Sequence, residues 1–333
     1  MDSGGRIRWG VLGTANIARV QFLPGLREAG GGIAEAVAGR EPARTEAYAR
    51  ENGVRRALSG YRALIEDPTV DAVYNPLPNS LHAEWTLAAL AAGKAVLTEK
   101  PLCVSPAETR TVLGAARAPG RLLWEAFVFP FHAQYRRVEA LVEAGGIGPL
   151  LEIQAFFHFR LRSRDNIRLR PDLAGGALND VGCYPIHLGT LLFGGEPLDA
   201  RATRRLDPSG VDAETAAMLD FGQGRRLYFS CGLERGYETF ARIVGGEGEI
   251  RLASAYHPGA ADSLELRRAD RSVLIEHPTD HVRSFAPAIR HIHAVLRGEE
   301  APRHLALQDA LATAEALERT RRATAGQGPG ARS

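Results

Sequence analysis

Short apolar runs alternate with helix-like stretches in the first part of the chain, which is the pattern of βαβ units that build a parallel sheet. The apolar runs predict strands at residues 6–12, 33–38, 71–74, 95–98 and 122–128, the last completing a six-strand set. Helices are predicted at residues 42–52, 82–92 and 106–118, and one after residue 12 that Pro24 should end or kink. We therefore predict an α/β fold with a doubly wound parallel sheet in this part.

The pattern changes after residue 150, where predicted strands follow one another at residues 150–162, 200–206, 213–221, 226–233, 241–244 and 249–252. Their connections are too short for crossover helices, so this sheet should be largely antiparallel and open. One helix at 180–192 interrupts the series, and helices at 281–297 and 305–323 follow it. The change predicts two domains, 1–128 and an α+β domain 129–333, whose C-terminal helices can pack back on the first.

Composition narrows the class of protein without naming a function. The chain has 45% hydrophobic and 24% charged residues, as globular proteins do. Its net charge of +2 gives no reason to expect nucleic acid or an anionic membrane as a partner. Cys103, Cys183 and Cys231 are odd in number and far apart, which indicates neither a disulfide framework nor a zinc site. With no apolar stretch of spanning length and no signal-peptide core, we expect a soluble cytoplasmic protein that binds no metal.

The first strand runs into a glycine turn that opens a helix, which is the context that a dinucleotide fingerprint needs. The turn reads Gly10-Val-Leu-Gly13-Thr-Ala15-Asn-Ile-Ala18, with alanine at the second of the three small positions. Small side chains let the backbone approach a pyrophosphate, which the N–H groups at the helix start can hold. The alternative is a tight strand–helix turn without a ligand. We expect cofactor contacts from Gly13, Thr14, Ala15, Asn16 and Ile17.

The end of the second strand indicates which dinucleotide binds. An NAD site usually has a carboxylate there for the ribose 2′-hydroxyl, whereas an arginine suits the 2′-phosphate of NADP. Arg40 follows the strand directly, and Glu41 more plausibly begins a helix. The sequence therefore favours NADP over NAD, although an arginine in this arginine-rich chain can also be only a solvated surface residue.

Two more segments follow predicted strands at the carboxyl edge of the sheet, where ligands bind in open α/β folds. Cofactor contacts are predicted for Pro76, Leu77, Asn79, His82, Glu99 and Lys100. As structural residues, Asn79 would be an N-cap, His82 a first-turn residue and Lys100 the partner of a carboxylate. However, Lys94 and Lys100 are the only lysines among 41 basic residues. Because a lysine amine can exchange a proton and a guanidinium effectively cannot, we predict that Lys100 is catalytic.

A glycine-rich segment opens the lone helix of the second domain. Asp180 and Tyr184 are four residues apart there, so they share one face of a helix, and His187 lies close to that face. Asp180 can be only an N-cap and Tyr184 only a packing residue, but a carboxylate and a phenol together after a glycine pair favour a catalytic site. The pair His291 and His293, spaced by two on a predicted helix, does not share a face and gives no metal site.

These motifs resemble the glucose–fructose oxidoreductase and inositol dehydrogenase family (Gfo/Idh/MocA) over nearly the whole chain. The matching segments are residues 10–18, 76–82, 99–101 and 175–184, in this order and at these spacings. The resemblance implies a Rossmann domain that binds NAD(P), followed by a substrate domain whose open sheet commonly makes a homo-oligomer, here a dimer or tetramer. It also implies hydride transfer between the nicotinamide and a sugar, polyol or related keto or hydroxy compound.

The resemblance also assigns roles to single residues. Lys100 matches the family's catalytic lysine and Asp180 its helix aspartate. Because position 184 is a tyrosine, the chain resembles the branch of the family that contains dihydrodiol dehydrogenase, anhydrofructose reductase and sugar 3-ketoreductases. In the reducing direction Tyr184 would donate a proton to the developing alkoxide, and a nearby ammonium such as Lys100 would favour the tyrosinate. A non-catalytic dinucleotide-binding regulatory protein is the alternative of a different class, but it would be expected to lose one of these three residues.

Two features depart from the family pattern. Pro130 stands where a basic residue is expected, which leaves substrate contacts there unassigned. A cluster of arginines precedes the glycine pair: Arg160, Arg162, Arg164, Arg168 and Arg170. Such a cluster can hold a nucleotide diphosphate, so a nucleotide-diphosphate-ketosugar reductase is an alternative to a reductase of free sugars. Arg168 and His187 are the candidates for substrate contact, and solvated or ion-paired arginines are the plainer interpretation.

Overall fold

The computed structural model describes residues 5–325 and divides into two compact units. The first unit contains residues 5–103, residues 107–132 and residues 281–308. The second contains residues 104–106, residues 133–280 and residues 309–325. The domain boundary after residue 128 stays a prediction, because a compact unit is not by itself a segment that folds alone.

The described residues form fifteen strands and nine α-helices. The strands are β1 (Ile7–Leu12), β2 (Gly32–Gly39), β3 (Arg56–Ser59), β4 (Ala72–Asn75), β5 (Ala95–Thr98), β6 (Leu123–Glu125), β7 (Leu150–Arg160), β8 (Asp199–Leu206), β9 (Asp212–Asp220), β10 (Arg226–Gly232), β11 (Glu234–Glu238), β12 (Ala241–Gly245), β13 (Gly248–Leu252), β14 (Leu264–Arg268) and β15 (Val273–Glu276). The helices are α1 (Leu23–Ala29), α2 (Pro42–Asn52), α3 (Tyr61–Ile65), α4 (His82–Ala91), α5 (Pro106–Ala116), α6 (Ala133–Glu143), α7 (Cys183–Phe193), α8 (Phe285–Leu296) and α9 (Ala306–Ala325).

The first unit is built on a six-stranded parallel sheet in the order β3-β2-β1-β4-β5-β6. This confirms the predicted doubly wound parallel sheet. Because all strands run the same way, their carboxyl ends lie along one edge, and the order reverses between β1 and β4. The sequence pattern indicated five of the strands by range and missed β3, whose four residues are too few to show a period.

Two local predictions in this unit differ from the structure. Pro24 does not end the first helix: the helical segment begins at Asn16, widens into a π turn at Ala18–Phe22 and continues directly into α1, which contains Pro24. The last strand, predicted to reach residue 128, ends at Glu125. A 3₁₀ turn, Phe129–Phe131, follows it and contains Pro130.

The second unit contains a nine-stranded sheet in the order β15-β14-β13-β12-β7-β10-β9-β8, with β11 also paired to β7. All its pairs are antiparallel except β7 with β10, which confirms the predicted, largely antiparallel sheet. Helix α7 packs on β7 and β10. The pattern missed α6, β11, β14 and β15; β11 is exposed at every position, so it has no alternation to detect.

The helix predicted at residues 180–192 has a different start. A π-helical turn, Leu178–Gly182, comes first and continues directly into α7. Asp180 therefore lies in the wider π turn and Tyr184 in the first turn of α7. Among residues 5–325 no helix is long and apolar enough to cross a bilayer, and no cluster of three metal-ligating side chains occurs.

Candidate active site

The glycine turn after β1 has the shape that a dinucleotide requires. Gly13 has a φ of +79°, and a Cβ added there would lie 2.9 Å from Cδ2 of Leu77. The N–H of Gly13 donates to the carbonyl of Ala38 at 2.7 Å, which ties the turn to the end of β2. Thr14 and Ala15 are partly exposed and Asn16 and Ile17 are exposed, so the backbone at the helix start is open to a ligand.

The end of β2 brings a cation to the same edge. Leu12 and Ala38 are paired in the sheet, so Arg40, two residues beyond Ala38, lies at the edge that carries the turn. Arg40 is exposed and has no ion-pair partner among residues 5–325. From α2, Tyr48 donates its hydroxyl to the carbonyl of Ala15 at 3.1 Å, and burial raises the pKa of Tyr48 to about 12. The sequence around Tyr48 contains no signal for this contact, because Ala15 lies 33 residues away in the chain.

The side chain of His82 contacts the segment that follows β4. This side chain is fully buried, with Nδ1 2.8 Å from the carbonyl oxygen of Pro101 and Nε2 2.8 Å from that of Leu77. Burial lowers the pKa of His82 to about 4, against the opposing effect of the two carbonyls. His82 therefore joins the two loops that carry the predicted cofactor contacts, and its predicted contact with the cofactor remains untested. Asn79 begins the 3₁₀ turn Asn79–Leu81 and is not the N-cap of α4.

The residues around Lys100 are fixed on both sides. Tyr74 donates its hydroxyl to Glu99 at 2.6 Å, and the backbone N–H of Lys100 donates to the other oxygen of Glu99 at 3.3 Å. The N–H of Leu102 donates to Glu125 at 2.7 Å. Lys100 precedes a cis peptide bond to Pro101 and is half-buried. The other lysine, Lys94, has a different environment: its Nζ donates to the carbonyls of Asp67 and Val70, both at 2.7 Å.

These residues fit a bound NADP. The open backbone at Gly13 suits the pyrophosphate, and Arg40 suits the 2′-phosphate. Lys100 lies after β5, at the strand-end edge where ligands bind in folds of this kind. The φ of +79° at Gly13 is a left-handed conformation that favours glycine at this turn.

In the second unit, Tyr184 lies within a cluster of aromatic rings. Its ring centroid is 5.1 Å from that of Phe157, 5.2 Å from that of Tyr256 and 5.4 Å from that of His257. Tyr237, on β11, lies 6.2 Å from Phe157 and is 66% exposed. Only 7% of Tyr184 is exposed. The cluster therefore holds the phenol of Tyr184 in a fixed position at the start of α7, and the exposed ring of Tyr237 contacts the same cluster through Phe157.

Asp180 is paired with an arginine of the predicted cluster. Nε of Arg168 donates to Oδ2 of Asp180 at 2.5 Å. The turn that contains Asp180 is also capped from β9, because Oδ2 of Asp212 accepts from the N–H of Leu178 at 2.7 Å. Burial raises the pKa of Asp212, which the hydrogen bonds from Leu178 and Thr215 oppose. No local signal could have indicated Asp212, which is more than thirty residues from the turn it caps.

His187 and the other arginines of the cluster have different surroundings. His187 is buried, with Nδ1 3.0 Å from the hydroxyl oxygen of Thr313 on α9. Two arginines of the cluster pair with nearby carboxylates, Arg164 with Asp207 and Arg170 with Asp172. Arg160 and Arg162 are exposed and have no ion-pair partner in the described part of the chain.

The three predicted catalytic residues belong to different units. Lys100 lies in the first unit, whereas Asp180 and Tyr184 lie in the second.

Comparison with known proteins adds to this geometry. The family model described as "Oxidoreductase family, NAD-binding Rossmann fold" matches residues 7–127, and the "GFO/IDH/MocA C-terminal domain" matches residues 135–251. The chain is 41% identical over 293 residues to a dTDP-3,4-didehydro-2,6-dideoxy-alpha-D-glucose 3-reductase of Streptomyces violaceoruber, covering 85% of each chain. It is 35% identical to D-xylose 1-dehydrogenase (NADP(+)) 2 of Haloferax volcanii, covering 84% of this chain and 88% of the other.

A solved structure matches nearly the whole fold. A 3-ketoreductase from Actinomadura kijaniata, in complex with NADP and TDP-benzene, superposes with a TM-score of 0.87. It is 32% identical to this chain, and the alignment covers 96% of this chain and 98% of the other.

Proposed function

The chain belongs to the Gfo/Idh/MocA family of oxidoreductases, and from this premise we propose that it uses NADPH to reduce the keto group of a nucleotide-linked sugar. The observation that carries the proposal is Tyr184, a nearly buried phenol held among aromatic rings two residues after the π turn that contains Asp180. A phenol in such a place can deliver a proton to an oxygen that becomes negative during reduction.

The roles of the residues follow from their chemistry. Bound NADPH supplies the hydride. Tyr184 donates its phenolic proton to the substrate oxygen. Lys100, whose amine can exchange a proton, is the other proposed catalytic group. Asp180 orients a substrate hydroxyl. The backbone at Gly13 holds the pyrophosphate and Arg40 the 2′-phosphate.

Two features of the second unit support the proposal that the substrate carries a nucleotide. Arg160 and Arg162 are exposed without an ion-pair partner among the described residues, and two guanidinium groups suit a diphosphate. Tyr237 offers a flat exposed ring, on which a base can stack. Two relatives also support a nucleotide-linked substrate. The Streptomyces enzyme is named as a dTDP-sugar 3-reductase, and the Actinomadura structure holds a TDP compound.

The direct test follows the absorbance of the reduced nicotinamide with three classes of compound. A nucleotide-linked 3-ketosugar and the corresponding free sugar or anhydrosugar are tested with NADPH or NADH, and an aromatic dihydrodiol is tested in the oxidising direction with NADP⁺ or NAD⁺. We expect turnover with the nucleotide-linked 3-ketosugar and NADPH. Turnover only with a free sugar would contradict the nucleotide part of the proposal and favour a sugar dehydrogenase such as the Haloferax relative.

Two further properties belong to the proposal. Cys103, Cys183 and Cys231 are buried and form no disulfide within residues 5–325, which suits a reducing compartment such as the cytoplasm. We also propose a homo-oligomer, a dimer or tetramer, formed through the face of the large sheet that presents Tyr228. Register places Arg201 and Met218 beside Tyr228 on that face, and Tyr228 is exposed.

A further inference from the structure

The ion pair between Arg168 and Asp180 is built into the backbone around it. Nε of Arg168 donates to Oδ2 of Asp180 at 2.5 Å, and the two side chains are 37% and 14% exposed. A hydrogen bond between two charged groups is shorter and stronger than a neutral one, and partial burial preserves more of its strength. Arg168 is therefore placed to restrict the position of this carboxylate.

The main chain of Arg168 is joined to the glycine pair that precedes Asp180. Its carbonyl accepts from the N–H of Gly176 at 2.8 Å. A Cβ added to Gly175 would lie 2.4 Å from that same carbonyl oxygen, so only glycine permits the approach. The guanidinium carbon of Arg168 lies 5.6 Å from the centroid of the Phe159 ring, within the range of a cation–π contact. Backbone and side chain thus hold Arg168 next to the π turn that leads into α7.

Asp180 is restricted from two directions. The carboxylate of Asp212 accepts from the N–H of Leu178 and holds the backbone of the π turn. Arg168 holds the side chain of Asp180 itself. Direct binding of substrate by Arg168 stays a prediction, and its Nε donates to Asp180.

We infer that Arg168 is a positioning residue, which acts on the reaction by fixing the carboxylate of Asp180. The inference rests on the proposed function, because it requires that Asp180 takes part in turnover. A misplacement of a reacting group by about 1 Å can lower a rate about 100-fold. Loss of Arg168 should therefore lower kcat and leave the binding of NADPH unchanged.

The chain offers a matched control two residues away. Arg170 forms an ion pair with Asp172 through Nη2 at 2.7 Å, and both side chains are well exposed. Arg170→Met removes the same charge from the same segment without touching Asp180. It should leave kcat within about twofold of the unsubstituted enzyme, as exposed pairs contribute little.

The experiment is a double-mutant cycle with Arg168→Met, Asp180→Asn and the double variant, assayed with NADPH and the nucleotide-linked 3-ketosugar. We expect Arg168→Met to lower kcat about 100-fold, with the NADPH dissociation constant from fluorescence titration unchanged. In the Asp180→Asn background the same substitution should change kcat less than about twofold, because its effect passes through Asp180. Arg168→Lys should recover part of the loss, and added guanidinium ion should restore Arg168→Met in a saturable way.

The outcomes separate the two proposals. If Arg168→Met lowers kcat equally in both backgrounds, or raises only the KM of the sugar, Arg168 does not act through Asp180 and the inference is overturned. If Asp180→Asn keeps full kcat, the role of Asp180 in the proposed function fails, and the inference fails with it. Should Arg168→Met not fold, Arg168→Lys in the two backgrounds gives the same comparison.

Discussion

Trp9 on β1 donates its indole N–H to Nε2 of His293 on α8 at 2.8 Å, a hydrogen bond between residues 284 positions apart in the chain. Nδ1 of His293 lies 2.9 Å from the carbonyl of Gly30. A neutral imidazole has one acceptor and one donor, and these two contacts use both. The bond joins β1 to a helix from the C-terminal part of the chain and accounts for the presence of α8 in the first unit.

The first prediction concerns the pH dependence of stability. Burial lowers the pKa of His293 to about 4, and burial also lowers the pKa values of His82 and His304 to about 4. The unfolded chain binds protons at these groups below about pH 6.5, whereas the folded chain resists them until about pH 4. The free energy of unfolding should therefore have its highest value above pH 6.5 and should fall as the pH decreases toward 4. The loss should reach up to about 3 kcal/mol for each fully buried histidine.

Urea unfolding followed by circular dichroism at pH 7.5 and pH 5 measures this loss. His293→Gln should make the acid loss smaller, since one titrating group is removed, although the protein is less stable at both values. His277→Gln, at an exposed histidine, is the control and should leave the acid loss unchanged. An identical loss in the His293 variant and the unsubstituted protein would contradict the prediction.

The second prediction distinguishes the two lysines. Lys100→Met and Tyr184→Phe should each lower kcat about 100- to 10,000-fold, because general acid–base groups contribute about that much. Stopped-flow fluorescence should show that both variants still bind NADPH. Lys94→Met is the matched control: it removes hydrogen bonds to the carbonyls of Asp67 and Val70, so it should lower the melting temperature and leave kcat within a few-fold. Near-normal turnover in both active-site variants would refute the assignment.

The third prediction concerns the choice of cofactor. Arg40→Ser should raise the KM for NADPH about 10- to 100-fold and leave the KM for NADH nearly unchanged, because only NADPH carries the 2′-phosphate. Steady-state kinetics with both cofactors measures the ratio. Arg50→Ser, at an exposed arginine in the last turn of α2, is the control and should keep the ratio. Equal losses with the two cofactors would mean that Arg40 supports the fold and does not contact the phosphate.

The fourth prediction concerns assembly. Tyr228→Glu places a charge on the sheet face proposed as the subunit interface, and burying an unpaired charge is costly. Light scattering after size exclusion should show a smaller species than the unsubstituted protein gives. Leu198→Glu changes an exposed leucine outside the strands and should leave the mass unchanged. A monomeric unsubstituted protein would rule out the interface at once.

Much of the fold was predictable because its signals are local. The period-two and apolar runs that mark β1, β2, β4 and β5 lie within a few residues, and so does the turn at Gly13. The comparisons confirm the family that residues 10–18, 76–82, 99–101 and 175–184 indicated, and the NADP cofactor that the glycine turn and Arg40 indicated. The roles of Lys100, Asp180 and Tyr184 stay predictions that the substitutions above test.

The partners of those residues depended on the tertiary structure. Tyr48 meets Ala15, Asp212 caps the turn of Asp180, and Arg168 pairs with Asp180. Each contact joins segments that the sequence separates, so no local periodicity reports it.

The amino-acid sequence by itself therefore determined the strand–turn–helix at Gly13, the parallel direction of the strands in the first sheet and the residue types that can do the chemistry. Only the tertiary structure decided that His82 is a buried link between two loops and that Arg168 points to Asp180. The physical reason is that backbone propensity and side-chain period act over one or two turns. Burial and hydrogen-bond pairing depend on which distant segments pack together.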